Sequence, residues 1–231
     1  MKGETAMDTI SIAIDGPSGA GKSTLARSVA AALGYLYVDT GAIYRTIGYY
    51  ALSEGIDPKD ADAVAAVLPG LRVELTHGKD GLQHMLLNGR DVTREIRLPE
   101  VSMYASAVSA HPAVRAYLLE MQRELARSHH VIMDGRDIGT VVLPNAQVKV
   151  FLTASPEVRA KRRMLELEQR GTPQPFEQIL SDIRQRDFDD SHRAIAPLRK
   201  AEDAVELDTT ELDFAQSEQA LLEIIQKRIQ A

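Results

Sequence analysis

The sequence predicts an α/β protein, with a five-stranded parallel sheet flanked by helices and a small antiparallel subdomain inserted into it. Three observations predict this. Residues Gly16-Pro17-Ser18-Gly19-Ala20-Gly21-Lys22-Ser23 fit G-x-x-x-x-G-K-[ST], the phosphate-binding loop (P-loop) that joins a buried strand to a helix. Short apolar, β-branched runs recur along the chain between helical stretches, as in a sheet covered on both faces. Between residues 71 and 93 the period changes to two, and Asn88-Gly89 marks a tight hairpin that a parallel sheet has no place for.

In chain order, Thr9 to Ile14 is the strand before the loop and alanine-rich Thr24 to Leu33 the helix after it. Leu36-Tyr37-Val38 is a second strand ending at Asp39-Thr40-Gly41, and a helix runs from about Ala42 to Glu54 until Asp57-Pro58 breaks it. Ala61 to Leu68 is a short helix stopped by Pro69-Gly70. Leu71 to Leu75, a Gly78…Gly81 turn, Met85-Leu86-Leu87 and Arg90-Asp91-Val92 make an antiparallel meander. Pro99 to Ser109 reads as helical, and Pro112 opens another helix that runs to about Arg127. Strands follow at Val131-Ile132-Met133 and Val148 to Leu152, helices from Ser155-Pro156-Glu157 to near Arg170-Gly171 and from Phe176 to about Ser191. Ala204 to Leu207 is the last strand, and Leu221, Leu222, Ile224, Ile225 and Ile229 give the last helix an apolar face. One domain over 8–231 is expected, with an acceptor-binding insertion at about 60–100 and a lid at about 155–193.

Composition narrows the functional class. With 231 residues, 44% hydrophobic and 26% charged, the chain can bury a full core. A net charge of −6 argues against binding a nucleic acid polymer or an anionic membrane. No apolar run approaches the ~20 residues of a membrane span, and Met1 to Asp8 does not read as a signal peptide. The absence of cysteine removes disulfides and thiolate metal sites and agrees with a reducing cytoplasm. Met7 is an alternative start, since the residues before it match no element.

The loop dictates its own chemistry. Glycines let successive backbone N–H groups point into one anion nest, and the helix N-terminus adds partial positive charge. Lys22 reaches the β- and γ-phosphates, and the Ser23 hydroxyl can ligate Mg²⁺. Asp134 ends an apolar strand, where a carboxylate either contacts Mg²⁺ or its waters or caps the following turn. Residues 159–200 hold ten of the 27 Lys and Arg, twice an even share. They are Arg159, Lys161, Arg162, Arg163, Arg170, Arg184, Arg186, Arg193, Arg199 and Lys200. Guanidinium groups bind phosphate bidentately, so this clustering points to an anion site, alongside ordinary surface pairs such as Arg163 with Glu166. Neither an Asn-Lys-x-Asp string nor an Asp-x-x-Gly switch occurs, which disfavours a GTPase. A small-acceptor kinase needs a phosphate loop, an acceptor insertion and cations that close over the transferring group, and all three are present. The six histidines read as surface or structural residues, with His192 beside Arg193 the exception.

Four blocks carry a resemblance over nearly the whole chain: Gly16 to Thr24, Asp39-Thr40-Gly41-Ala42-Ile43-Tyr44-Arg45, Asp134-Gly135-Arg136-Asp137-Ile138-Gly139-Thr140 and Arg193-Ala194-Ile195-Ala196-Pro197-Leu198. They resemble the signature blocks of bacterial cytidylate kinases, nucleoside-monophosphate kinases of the P-loop α/β class. The resemblance implies transfer of the γ-phosphoryl of ATP to CMP or dCMP with Mg²⁺, by an enzyme expected to be cytoplasmic and monomeric. It implies that Gly16 to Thr24 hold ATP, and that Ser23 and Asp134 hold the metal. Lys22, Arg136, Arg186 and Arg193 are then the catalytic cations. The implied acceptor residues are Asp39, Thr40, Arg45, Ser106, Arg115, Asp137, Arg186, Asp190 and Arg193. Of these, Arg45 holds the acceptor phosphate, Ser106 and Arg115 donate to the cytosine ring, and Asp137 lies near the base amino group. Arg186, Asp190 and Arg193 meet sugar and phosphates. A kinase for uridylate or a non-nucleotide alcohol, and a nucleotide-sensing regulator without turnover, are the alternatives.

Overall fold

The computed structural model describes residues 9–78, 81–169 and 171–230. Met1, Met7, residues 79 and 80 within the Gly78…Gly81 turn, and Arg170 lie outside the described residues. The chain forms two compact units, one from the N-terminal residues to Tyr37 plus Leu125 onward, the other Val38–Glu124.

The first unit is built on β1 (Ser11–Asp15), the start of β2 (Leu36–Asp39, whose last two residues belong to the second unit), β6 (Val131–Gly135), β7 (Val148–Thr153) and β8 (Val205–Asp208). The strand order is β2-β6-β1-β7-β8, and the registered pairs are parallel. The apolar runs are continuous because both faces of such a sheet are covered. Ile12, Ile14, Ile132, Val150, Leu152 and Leu207 pack with Leu25 and Val29 of α1 (Lys22–Leu33) and with Leu221 and Ile225 of α8 (Phe214–Ile229). α6 (Pro156–Gln169) and α7 (Phe176–His192) make a separate small core from Ala160, Leu167, Ile179, Leu180 and Ile183.

The second unit holds α2 (Thr40–Ser53), α3 (Ala61–Val67), α4 (Pro99–Val108) and most of α5 (Pro112–Ser128), with the meander β3 (Val73–His77), β4 (Gln83–Leu87) and β5 (Arg90–Asp91). Asn88 and Gly89 turn β4 into β5 with φ of 51° and 82°, the left-handed pair that a two-residue hairpin needs.

The differences from the expected elements have local causes. α2 starts at Thr40 rather than Ala42 because the Asp39 carboxylate caps it, accepting from Ala42 N at 2.8 Å. β3 starts at Val73 rather than Leu71 because Leu71 N closes the 3₁₀ turn Leu68–Gly70 on Leu68 O. β6 and β7 each run further along the sheet than their apolar runs, into Asp134-Gly135 and Thr153. The short π-helical turn at Ile138–Val142 has no counterpart in the hydrophobic period of the sequence. No helix among the described residues is long and apolar enough to cross a membrane.

α8 carries a full capping box. Asp213 accepts from Gln216 N at 2.8 Å, and Gln216 Oε1 accepts from Asp213 N at 3.0 Å. Asp213→Ala should therefore lower unfolding stability by about 1 kcal/mol, read as a shifted urea midpoint. An unchanged midpoint would show that the cap does not anchor this helix.

Candidate functional site

The first unit carries the phosphate loop. It leaves β1 at Gly16, whose φ of +151° and closeness to β7 exclude a side chain: a Cβ would lie 1.9 Å from Leu152 O. Gly21 caps α1 in the left-handed region with no side-chain hydrogen bond, so the first N–H groups of α1 face the loop without a side-chain cap. Thr24 is exposed on the first turn of that helix.

Lys22 is buried and its Nζ donates to Pro17 O at 2.7 Å, across the loop it belongs to. Burial, aided by nearby Arg136, pushes its pKa down to about 7, against the opposing pull of Asp134, Asp15 and Asp190. A cation held this way gains most when phosphate arrives. Ser23 Oγ donates to Asp134 Oδ2 at 2.8 Å, and Tyr37 OH donates to Asp134 Oδ1 at 2.8 Å. Asp134 thus sits beside the loop serine, the pairing a hard divalent cation requires when phosphates and water complete its oxygen shell. Among the described residues no group of three or more His, Cys, Asp or Glu is placed to hold a metal. The donor set fits a magnesium ion bound largely through its nucleotide.

Arginines and carboxylates interlock around this loop. Arg136 Nε donates to Asp190 Oδ2 at 2.8 Å, and Arg193 Nη2 lies 3.6 Å from Asp137 Oδ1. Burial acts to raise Asp190, yet Arg136, then Arg186 and Arg193, hold its carboxyl below the usual range. So Arg136, Asp137, Arg186, Asp190 and Arg193 come together in the first unit. Four of the other cations of residues 159–200 divide into two pairs. Arg159 is buried and donates to Ser18 O at 3.0 Å and bidentately to Asp187 at 3.0 and 2.6 Å. Arg162 donates to Thr209 O at 2.8 Å. These two brace the loop and the end of β8. Arg163 with Glu166 and Arg184 with Glu157 are surface pairs, as expected of the first. His192 stacks on Phe188 with centroids 4.0 Å apart on the exposed end of α7.

The second unit carries the other expected residues. Asp39 is buried, and its Oδ2 accepts from Arg45 Nη2 at 2.8 Å and from Arg97 Nη2 at 3.0 Å. Burial opposes ionisation there, but the two arginines and the Ala42 N–H hold its pKa low. Gln83 of β4 grips the Asp39 backbone with both side-chain atoms, Oε1 accepting from N at 2.7 Å and Nε2 donating to O at 3.1 Å. Thr40 is buried on the first turn of α2. Arg115 of α5 lies 5.5 Å over the Tyr44 ring and donates to Ser109 O at 3.2 Å. Ser106 is half-buried on α4 and its carbonyl accepts from Ser109 Oγ at 2.8 Å.

Sequence reasoning missed Arg97, Gln83, Tyr37, Arg159 and Asp15. Each acts through a contact more than 20 residues away in the chain, which no local pattern encodes. Only Arg159 had a signal, its place in the arginine-rich stretch.

Known proteins align along the whole of this arrangement. The profile of the cytidylate kinase family matches residues 12–227. A cytidylate kinase of Caldicellulosiruptor bescii is 50% identical over 221 residues, 96% of this chain and 97% of that one. One from Oceanobacillus iheyensis is 48% identical, covering 94% of each chain, and one from Bacillus cytotoxicus is 49% identical, covering 96% and 98%. A family profile that spans residues 12–227 and relatives about half identical over nearly the whole chain show that the chain belongs to the cytidylate kinase family.

Proposed function

We propose that this protein transfers the γ-phosphoryl group of ATP to CMP or dCMP, giving ADP and CDP or dCDP. The single observation that carries the reading is a buried lysine inside an uncapped phosphate loop, flanked by an Arg136–Asp190–Arg193 network, in a chain about half identical to cytidylate kinases.

In this reading the first unit binds ATP. The loop amides and the N-terminus of α1 cradle the phosphates, and Lys22 exchanges its Pro17 carbonyl for phosphate oxygens. Ser23 and Asp134 hold Mg²⁺, which when bound offsets the charge of the phosphates. No strong base is required, because the attacking group is already a phosphate oxygen. Lys22, Arg136, Arg186 and Arg193 place positive charge around the transferring group. The second unit, including the insertion at about 60–100, binds the acceptor: Arg45 its phosphate, Ser106 and Arg115 the cytosine ring, with Asp39 and Thr40 organising the site. Asp137 reads the base amino group, and Asp190 with Arg186 and Arg193 meets sugar and phosphates. The segment of about 155–193, braced by Arg159, closes as a lid. The absence of cysteine supports work in a reducing cytoplasm, and we take the active form as a monomer with no polymer or membrane partner.

The test is a panel of acceptors with Mg²⁺ and ATP. CMP and dCMP should be phosphorylated well and UMP poorly, because uracil leaves two or three buried polar groups unpaired at about 1–3 kcal/mol each. Equal rates on UMP, or turnover only on an alcohol, would point to the other small-acceptor kinases. Tight binding of ATP and CMP without turnover would point to a regulator.

Binding should also move a proton. At pH 8 a lysine with a pKa of about 7 is mostly neutral. Phosphate raises that pKa, so binding of Mg·ADP should take up protons through Lys22, and this lysine-dependent uptake should be larger at pH 8 than at pH 6. Calorimetry in buffers of different ionisation enthalpy reads this directly, and Lys22→Met should abolish it. Uptake that does not change between these pH values would contradict the depressed lysine. Lys22→Ala should lower turnover about a hundredfold or more, with a smaller loss of nucleotide affinity. Steady-state kinetics beside an ADP titration separates the two.

A further inference from the structure

Asp15 ends β1 one residue before the phosphate loop and has no part in the reading above. It is buried, and its carboxylate receives two backbone hydrogen bonds from far along the chain. Oδ1 accepts from Ile138 N and Oδ2 from Gly139 N, both at 2.7 Å. Those residues begin the π-helical turn Ile138–Val142, and Asp137 before them makes no side-chain cap. Asp15 therefore caps this turn from a neighbouring strand.

The placement matters because of what lies between the two attachments. In the sheet Asp15 pairs with Gly135. Its side chain then grips Ile138 and Gly139. Only Arg136 and Asp137 lie in between, the corner that reaches Asp190 at 2.8 Å and faces Arg193 at 3.6 Å. One residue thus pins both ends of the corner, and its own backbone leads directly into the phosphate loop. Burial raises the Asp15 carboxyl to about 6; the two N–H groups and Lys22 act the other way, while Asp137 adds to the rise. Gly139 leaves the room for this grip, since a Cβ there would lie 3.3 Å from Asp15 Oδ2 and 3.1 Å from Lys149 Cδ.

We propose that Asp15 is a positioning residue for phosphoryl transfer: by bridging the Ile138 and Gly139 amides it fixes the Arg136–Asp137 corner against the base of the phosphate loop. The proposal rests on the kinase reading. Asp15 does not touch nucleotide; it sets where Arg136 and Asp137 stand, and misplacing such groups by about an ångström costs on the order of a hundredfold in rate.

Asp15→Asn is the direct test, because it keeps the shape and turns one acceptor into a donor that faces an N–H group. In the variant, amide exchange at Ile138 and Gly139 should speed up on the order of tenfold. kcat with CMP should fall on the order of tenfold to a hundredfold, while the KM for ATP and the Kd for ADP stay within about threefold. Combined with Arg136→Ala, it should cost clearly less than the product of the two single losses, because only the part that acts through Asp137 remains. An unchanged kcat, a loss carried in ADP affinity, or losses that multiply in the double variant would each overturn the proposal. Should Asp15→Asn fail to fold, Gly139→Ala disturbs the same contact from its other side. It must then show the same fall in kcat without loss of ADP affinity, and an unchanged kcat would overturn the proposal equally. If the wild-type chain transfers nothing to CMP, the kinase reading is the one that fails, while exchange and ADP affinity in the variant still decide whether Asp15 anchors the corner.

Discussion

Buried charge is the constraint around which the first unit is arranged. Lys22, Asp15, Asp134, Asp137, Arg159 and Asp190 are all removed from water at one end of the sheet. An isolated charge there would cost several kcal/mol, so each must be answered by an opposite charge or a hydrogen bond. The answers come from different strands and helices: Asp190 on α7 for Arg136 after β6, Asp187 on α7 for Arg159 on α6, and the Ile138 and Gly139 amides for Asp15 on β1. This network fixes the loop between β6 and the π-helical turn and ties α6 and α7 to the phosphate loop.

Pairing is incomplete in a directed way. Lys22 Nζ donates to the Pro17 carbonyl oxygen and burial pushes its pKa down to about 7, so its charge is held at a disadvantage before ligand arrives. Asp15 is pushed up to about 6 on the strand that leads into the same loop. Such shifts are a mark of functional sites, and an anionic ligand relieves the strain on the lysine. The second unit repeats the theme more simply. Asp39 fixes the guanidinium groups of Arg45 and Arg97 while capping α2, and Gln83 holds the Asp39 backbone still. The carboxylate thereby orients two cations, Arg97 with its side chain 46% exposed and Arg45 with its side chain 19% exposed.

The order of strands and helices was legible because local forces decide it. The continuous apolar runs at Ile12 to Ile14 and Val148 to Leu152, the glycines of the phosphate loop, and the Asn88-Gly89 hairpin are each set by residues within one turn or strand of one another. Boundaries were less legible where a side chain reaches across: Asp39 extends α2 by one half-turn, and the Leu71 turn delays β3. Within the site, Lys22, Ser23 and Asp134 were legible from the motif and from a strand end. Arg163 with Glu166 followed from helical spacing alone.

The sequence by itself determined the strand–loop–helix unit, the meander and the likeness to one kinase family, because glycine conformation, hydrophobic period and motif spacing are local properties. Tertiary structure alone decided which charges meet. Asp15 and Ile138 are 123 positions apart, Tyr37 and Asp134 are 97 apart, and Arg97 and Asp39 are 58 apart. No period or motif links such residues. They become neighbours because β6 lies between β2 and β1 in the sheet, which joins Tyr37 to Asp134 and Asp15 to the turn after β6, and because the turn Glu95–Arg97 packs against α2, which brings Arg97 to Asp39.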